Sequence, residues 1–341
     1  MMKIAEKEWL DAANCAIYQP GQRTGHYESY FLRANHPERP LAFWIRYTVF
    51  NPHGRPDKAI GELWAVYFNG ETSTSTAVKK ELHIGQCSFS RSDLDVTIGD
   101  AFLQKDWLKG SAASHNNTIT WDLKYSGDSR PIFPLPMKMY SGNFPKAKLC
   151  VPLPMARFNG TLEVDGNRIK IENWIGSQNH NWGSKHTDLY AWGQVAGFDN
   201  NHDSFLEVAT ARVKIGPLWT PRMTLITLRH KGREYKLNNV MQTIRAEGRF
   251  TYFDWHFASC DDDIDIKGRM HAPKELFAGL NYYNPPGGSK HCLNSKLAAC
   301  DLRITYKQGP DKGVSELLYT GHRAAFEILT DLRNHGISIQ V

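Results

Sequence analysis

No apolar run in this chain approaches the roughly 18 residues that a bilayer-spanning helix needs. The first sixteen residues, MMKIAEKEWLDAANCA, carry charge early and have no apolar core, so they do not read as a secretory signal peptide. Cysteine is scarce and scattered, with six residues at 15, 87, 150, 260, 292 and 300 and no C-x-x-C pair. That spacing sets aside a disulfide framework and leads to the expectation of reduced thiols in a cytoplasmic protein. Basic residues exceed acidic ones by only six over 341 residues and gather into no stripe, so nucleic acid is not an expected partner. Neither a G-x-S-x-G elbow nor a phosphate-cradling loop occurs, and PPGGSK at 285–290 reads as a turn. Among 14 His there is no H-E-x-x-H or finger spacing. The nearest cluster (His180, His186 and Asp188, with His202 and Asp203 downstream) reads as pocket or surface histidines rather than a metal site. Residues 261–263 with Asp265 lack the glycine and terminal glutamate of a calcium loop and read as a hairpin turn. No metal or redox cofactor is expected.

What is present is period-two patterning. The length exceeds what one core usually supports, and the 41% hydrophobic and 22% charged content is globular. Leu41, Phe43, Ile45, Tyr47 and Val49 alternate with Ala42, Trp44, Arg46, Thr48 and Phe50, and 61–69 repeats the idea with Glu62, Trp64, Val66 and Phe68 on one side. Residues 160–173 read as a hairpin turned at Asp165-Gly166. Later strands are expected at 204–213, 222–230, 249–258, 263–270, 301–307, 314–320 and 323–329. Helical spacing is convincing only at 5–16, with a second short candidate at 100–109. Many short strands with Gly, Asn and Asp turns make the chain all-β, built of barrels or sandwiches. The Pro-rich stretch 131–154 breaks the rhythm and is expected to lie over a surface as an irregular connection. The domain boundary is placed near 172, giving halves 1–172 and 173–341.

The most loaded stretch is 173–199, NWIGSQNHNWGSKHTDLYAWGQVAGFD, with three Trp, two His, three Asn and two Gln. Rings separated by amides and imidazoles suit a wall facing something bulky, mostly apolar and slightly polar. Alternation from His186 places Asp188, Tyr190, Trp192 and Gln194 on one face and small apolar residues on the other. Such a face lines a pocket or fills the seam between two domains. Carboxylates recur among aromatics at Glu28, Glu62, Asp188, Glu207 and Asp254. A carboxyl buried against rings loses solvation and gains pKa, as a general acid near neutral pH requires. Asp188 and Glu28 are favoured because their faces also carry His186 with Tyr190 and His26 with Tyr30.

GHYESYFLRA (25–34), the W-x-R-Y of Trp44 to Tyr47, GELWAVYF (61–68) and above all GSQNHNWGSKHTDLYAWGQVAGFD (176–199) resemble the tandem lipocalin-like superfamily of carotenoid 1,2-hydratase (hydroxyneurosporene synthase), tocopherol cyclase and AttH-type proteins. The Asn181-Trp182-Gly183 triplet, followed by an aromatic strand ending W-G-Q, is its most specific element. The resemblance implies two consecutive lipocalin-like antiparallel β-barrels with few short helices, holding an apolar ligand in a barrel or between them. For the hydratase and cyclase relatives it implies protonation of an isoprenoid double bond, with water or an internal phenol capturing the cation and no cofactor. The polar residues of 177–188 point to a smaller or more oxygenated ligand than a carotenoid.

Two readings follow. As an enzyme, the chain hydrates, cyclises or isomerises an isoprenoid, terpenoid or polyketide-like molecule. Asp188 or Glu28 is then the acid, with His180, Tyr190, Gln178 and Asn181 orienting it. Trp44, Trp64, Trp182 and Trp192 form the walls, and Glu62 and Gln194 join the ligand contacts. As a carrier, it binds a lipid-like molecule unchanged. A carboxyl at the bottom of a closed apolar pocket, rather than at a solvent rim, separates the two.

Overall fold

The alternating segments become strands. A computed structural model describes residues 2–341. In it Leu41–Asn51 lies between His26–Asn35 and Ile60–Asn69, paired antiparallel along nearly its whole length. These belong to an eleven-stranded antiparallel sheet that ends with the long hairpin Ala147–Val164 and Asn167–Gly183. At its tip Asp165 and Gly166 both take left-handed φ (50° and 80°), which the tight two-residue hairpin turn demands. The sheet curls until Thr74–His83 meets Trp107–Ser114, where the Ser114 hydroxyl bonds both the N–H and the C=O of Lys79 at 2.8 Å. A ten-stranded sheet begins at Leu189–Phe198 and ends with a second long pair, Ser289–Tyr306 and Ser315–Thr330. Three short α-helices interrupt the described residues, so the chain is all-β with lipocalin-like barrel sheets.

The helix expected at 100–109 is instead the strands Ala101–Gln104 and Trp107–Ser114. Gly99 takes φ +61° to turn the chain, and Leu103 and Leu108 meet as cross-strand partners inside the first core. The i,i+4 spacing of Leu103 and Trp107 imitates a helical turn but spans a hairpin. The single strand expected at 249–258 is likewise a hairpin, turned at Tyr252 and Phe253, with Phe253 at φ +77°.

Alternation also explains why strands of the first sheet are buried on both faces. In His26–Asn35, Tyr30, Leu32 and Ala34 enter the first barrel core, while Phe31 joins an apolar cluster with Trp44, Trp64, Trp192 and Leu329. That cluster draws on both sheets and is the seam between them. Arg33 crosses it, donating to the Gln194 side chain at 2.9 Å and to the backbone carbonyls of Gln194 and Arg323 at 3.1 Å. The Pro-rich segment runs over the same region. Its last prolines, 152 and 154, fall where the ladder to Asn167–Gly183 shifts register, the positions at which missing N–H groups cost least.

Residues 12–18 strap the first sheet from outside. Glu28, fully buried, accepts from the N–H groups of Ile17 (2.8 Å) and Tyr18 (2.7 Å) and bonds His180 (2.7 Å) and His26 (3.1 Å). Burial pushes this carboxyl up, and the hydrogen bonds and charge of His180 and His26 more than reverse it, leaving a pKa of about 2. A folded pKa below the ordinary 4.5 means the ionised form adds stability above pH 4.5 that disappears as pH falls toward 2. The linkage amounts to about 3 kcal/mol. Acid unfolding followed by circular dichroism should therefore show Glu28→Gln already destabilised at pH 7 and lacking the wild-type stability loss between pH 4.5 and 2. Equal acid curves for the two chains would remove the strap's dependence on this carboxylate.

Candidate active site

One face of the strand Asn201–Arg212 reads Glu207, Ala209, Ala211, a carboxylate followed by side chains too small to fill the space beside it. The hollow they leave is a cavity of about 230 Å³ in the seam. Tyr190 and Trp192 enter from the neighbouring strand Leu189–Phe198, and Met223 and Leu225 from Met223–His230. The first sheet supplies Phe31, Trp44, Arg46, Asn179 and Asn181. Leu135, Pro136, Met139 and Phe144 of the Pro-rich segment, with Val240 and Thr243 of the short helix Val240–Arg245, cover it.

Glu207 is fully buried. Trp192 donates its indole N–H to Oε1 at 2.6 Å, and Gln194 donates its amide to Oε2 at 2.9 Å. Burial raises the carboxyl pKa most strongly, and the nearby Glu327 adds to the rise. The bonds from Trp192 and Gln194 and the charge of Arg33 pull it back, leaving about 7. Each oxygen accepts one bond and so retains a lone pair for the proton. Glu327, also lining the cavity, is paired with fully buried Lys296 at 2.7 Å. Arg46 is buried, donates to Ser29 at 2.6 Å and lies over the Tyr282 ring at 4.4 Å. Its Nε, the indole nitrogen of Trp44 and Oδ1 of Asn181 are buried without protein partners, and all three residues line the cavity. His186 also lines it; burial, Arg46 and Lys290 lower its pKa to about 3, so the ring is neutral. The wall thus offers one carboxyl with a pKa near neutrality, the basic side chains of Arg46 and Lys148, and three orphaned polar atoms in apolar surroundings.

The architecture matches solved structures across nearly the whole chain. A protein assigned as AttH from Nitrosomonas europaea is 11% identical over 93% of this chain and 97% of its own, at TM-score 0.54. Kievitone hydratase from Nectria haematococca is 13% identical over 92% and 91%, at 0.53, and CghA 11% identical over 94% of each, at 0.54. The fold is that of the AttH-like, lipocalin-like proteins. No family model matches the sequence, and no curated protein does.

Within this AttH-like frame the residues singled out from the sequence separate into groups. Trp44, Asn181, Tyr190 and Trp192 line the cavity, and Gln194 stands directly behind Glu207. Glu28 and His180 lie under the N-terminal strap, where His180 also bonds the carbonyl of Ala13 at 2.8 Å. Trp182 stacks on Trp9 beneath the same strap, and Gln178 is buried outside the cavity lining. Glu62 pairs with Lys79 at 2.7 Å, whose ammonium sits over Trp64 at 4.2 Å, away from the cavity. Asp188 accepts from Lys185 at 2.6 Å and from the N–H of Lys214 at 2.8 Å. Burial opposes its ionisation, but those bonds and charges hold its pKa below the usual range. Of Glu28, Asp188 and Glu207, only Glu207 has its carboxyl pKa raised. The sequence signal for it was faint: a glutamate followed by alanines at i+2 and i+4, facing the W-G-Q strand.

A raised folded pKa makes ionisation of Glu207 a cost. Stability should fall as pH rises from 4.5 to about 7, by about 3 kcal/mol for this group. In Glu207→Gln that component should vanish, leaving the variant more stable than wild type above pH 7 in urea unfolding. Parallel pH–stability curves would place the carboxyl in an ordinary environment.

Proposed function

We propose that the chain binds a modest-sized, partly oxygenated terpenoid or polyketide-like molecule in the seam cavity and hydrates, cyclises or isomerises it without a cofactor, using Glu207 as the acid. The observation that carries this reading is a carboxyl of pKa about 7 buried in a covered, mainly apolar cavity. At about 230 Å³ the space falls below the roughly 300–1,000 Å³ of small-molecule sites, which favours a compact ligand over a long polyene. The orphaned donors of Arg46 and Trp44, which the first sheet contributes to the cavity lining, suit a carbonyl or phenol oxygen. Bound there, an unsaturated ketone would be polarised toward attack. Glu207 gives its proton to the developing carbanion or alkene carbon. Water or a hydroxyl of the ligand forms the new C–O bond, and the proton it sheds restores Glu207. The naming of one structural neighbour as a hydratase supports this reaction class. Six cysteines, none of them disulfide-bonded, fit a reducing compartment such as the cytoplasm.

Native mass spectrometry of the chain from its own host, followed by solvent extraction, should find a retained molecule of this class and supply the assay. On it, Glu207→Gln should keep affinity and lose turnover by about 10²–10⁴-fold. Unchanged kcat in that variant would end the acid assignment. Binding without turnover by the wild type would leave a carrier. Trp192→Phe keeps the ring but removes a donor that stabilises the carboxylate. The limb of the pH–rate profile that reports Glu207 should therefore move to higher pH, whereas a purely steric role for Trp192 would leave it in place.

A further inference from the structure

We infer that the rim of the seam cavity docks on an anionic lipid bilayer, from which the apolar ligand enters. Eleven large apolar side chains stand exposed among the described residues, and seven of them belong to the three segments around this mouth. Ile215, Leu218 and Trp219 form the projecting hairpin Lys214–Ile215 and Leu218–Trp219, whose flanking residues Val213 and Met223 line the cavity. Met241 and Ile244 are exposed on the helix whose Val240 and Thr243 face the cavity, with Val240 itself 40% exposed. Phe144, which also lines the cavity, is 53% exposed. A large exposed apolar patch beside an apolar cavity marks an interaction site.

Charge selects the partner. Residues 131–154, 211–223 and 238–246 hold Lys138, Lys146, Lys148, Arg212, Lys214, Arg222 and Arg245, and not one Asp or Glu. Over the whole chain 41 basic residues face 35 acidic ones, so these three segments, whose basic side chains other than Lys148 are not buried, are a local concentration of positive charge complementary to phospholipid headgroups. Arg212 and Lys214 lie over the Trp219 ring at 5.0 and 4.8 Å. An indole flanked by cations is suited to the headgroup boundary, where its ring is apolar and its rim is wet. The hairpin is held at a fixed height, because the carboxylate of Asp188 accepts from the N–H of Lys214 at its base. This extends the proposed ligand reading by naming the ligand's source, but vesicle binding is measured without ligand or turnover and stands or falls separately.

In cosedimentation, the full chain should pellet with vesicles of equimolar phosphatidylcholine and phosphatidylglycerol and remain in the supernatant with phosphatidylcholine alone. Ile215→Glu/Leu218→Glu should cut binding about tenfold or more, while Leu317→Glu, an exposed apolar site on the strand Ser315–Thr330, should not. Brominated lipid should quench wild-type fluorescence more than that of Trp219→Phe. Failure to pellet with the anionic vesicles, or equal binding by the hairpin variant, overturns the proposal and hands the rim to a protein partner.

Discussion

The side-chain amide of Gln194 uses all of its hydrogen-bonding capacity, with three of its four bonds crossing the seam. Its oxygen accepts from Arg33 at 2.9 Å and Ser177 at 2.6 Å, and its nitrogen donates to Asn179 at 2.7 Å and Glu207 at 2.9 Å. Two donors on one side and two acceptors on the other fix which way the amide points. Arg33 and Ser177 come from the first sheet, while Gln194 and Glu207 come from the second. One side chain therefore links the two sheets and sets part of the electrostatic environment of the Glu207 carboxyl. A partly satisfied version of such a network would be worse than an apolar seam, and here every position of the amide is filled.

The carboxyl environments show how the same chemistry takes different states. Glu28 meets two backbone N–H groups and two imidazoles and stays ionised far below neutrality. Glu207 meets an indole and an amide, both weaker partners than a cation, beside a second carboxylate, and sits near neutrality. Both are buried, so burial alone does not distinguish them. The identity of the hydrogen-bond donors does. Arg46 and the orphaned indole of Trp44 extend the contrast across the cavity: the first sheet offers positive and donor groups, the second the proton.

Much of the sheet architecture was legible because period-two patterning and the Asp-Gly turn are local signals. Leu41–Asn51 and Ile60–Asn69 needed only alternation. The aromatic wall was also legible, since Trp44 and Trp192 announce themselves by size. The acid was not. Glu28 and Asp188 sat beside more aromatic and imidazole neighbours in sequence than Glu207 did, yet the strap and Lys214 reach them from elsewhere in the chain. Whether a buried carboxyl is neutral depends on donors 10 to 152 residues away, such as Tyr18 and His180 for Glu28. Composition around a residue cannot report them. Residues 100–109 misled for a different reason: Leu103 and Trp107 are spaced as on a helix, although the chain turns between them.

The cavity is assembled from parts with very different freedom to change. Glu207, Gln194 and Arg33 lie in paired strands and are tied to residues from both sheets. The cover is a Pro-rich connection and a helix of six residues, which hold the cavity by apolar contact. Substitutions there leave the acid and its donors in place. If Glu207 is the proton donor proposed above, descendants of one such chain could exchange ligands by rewriting the cover while inheriting that carboxyl intact, so related proteins would diverge first in what they admit and last in how they react with it.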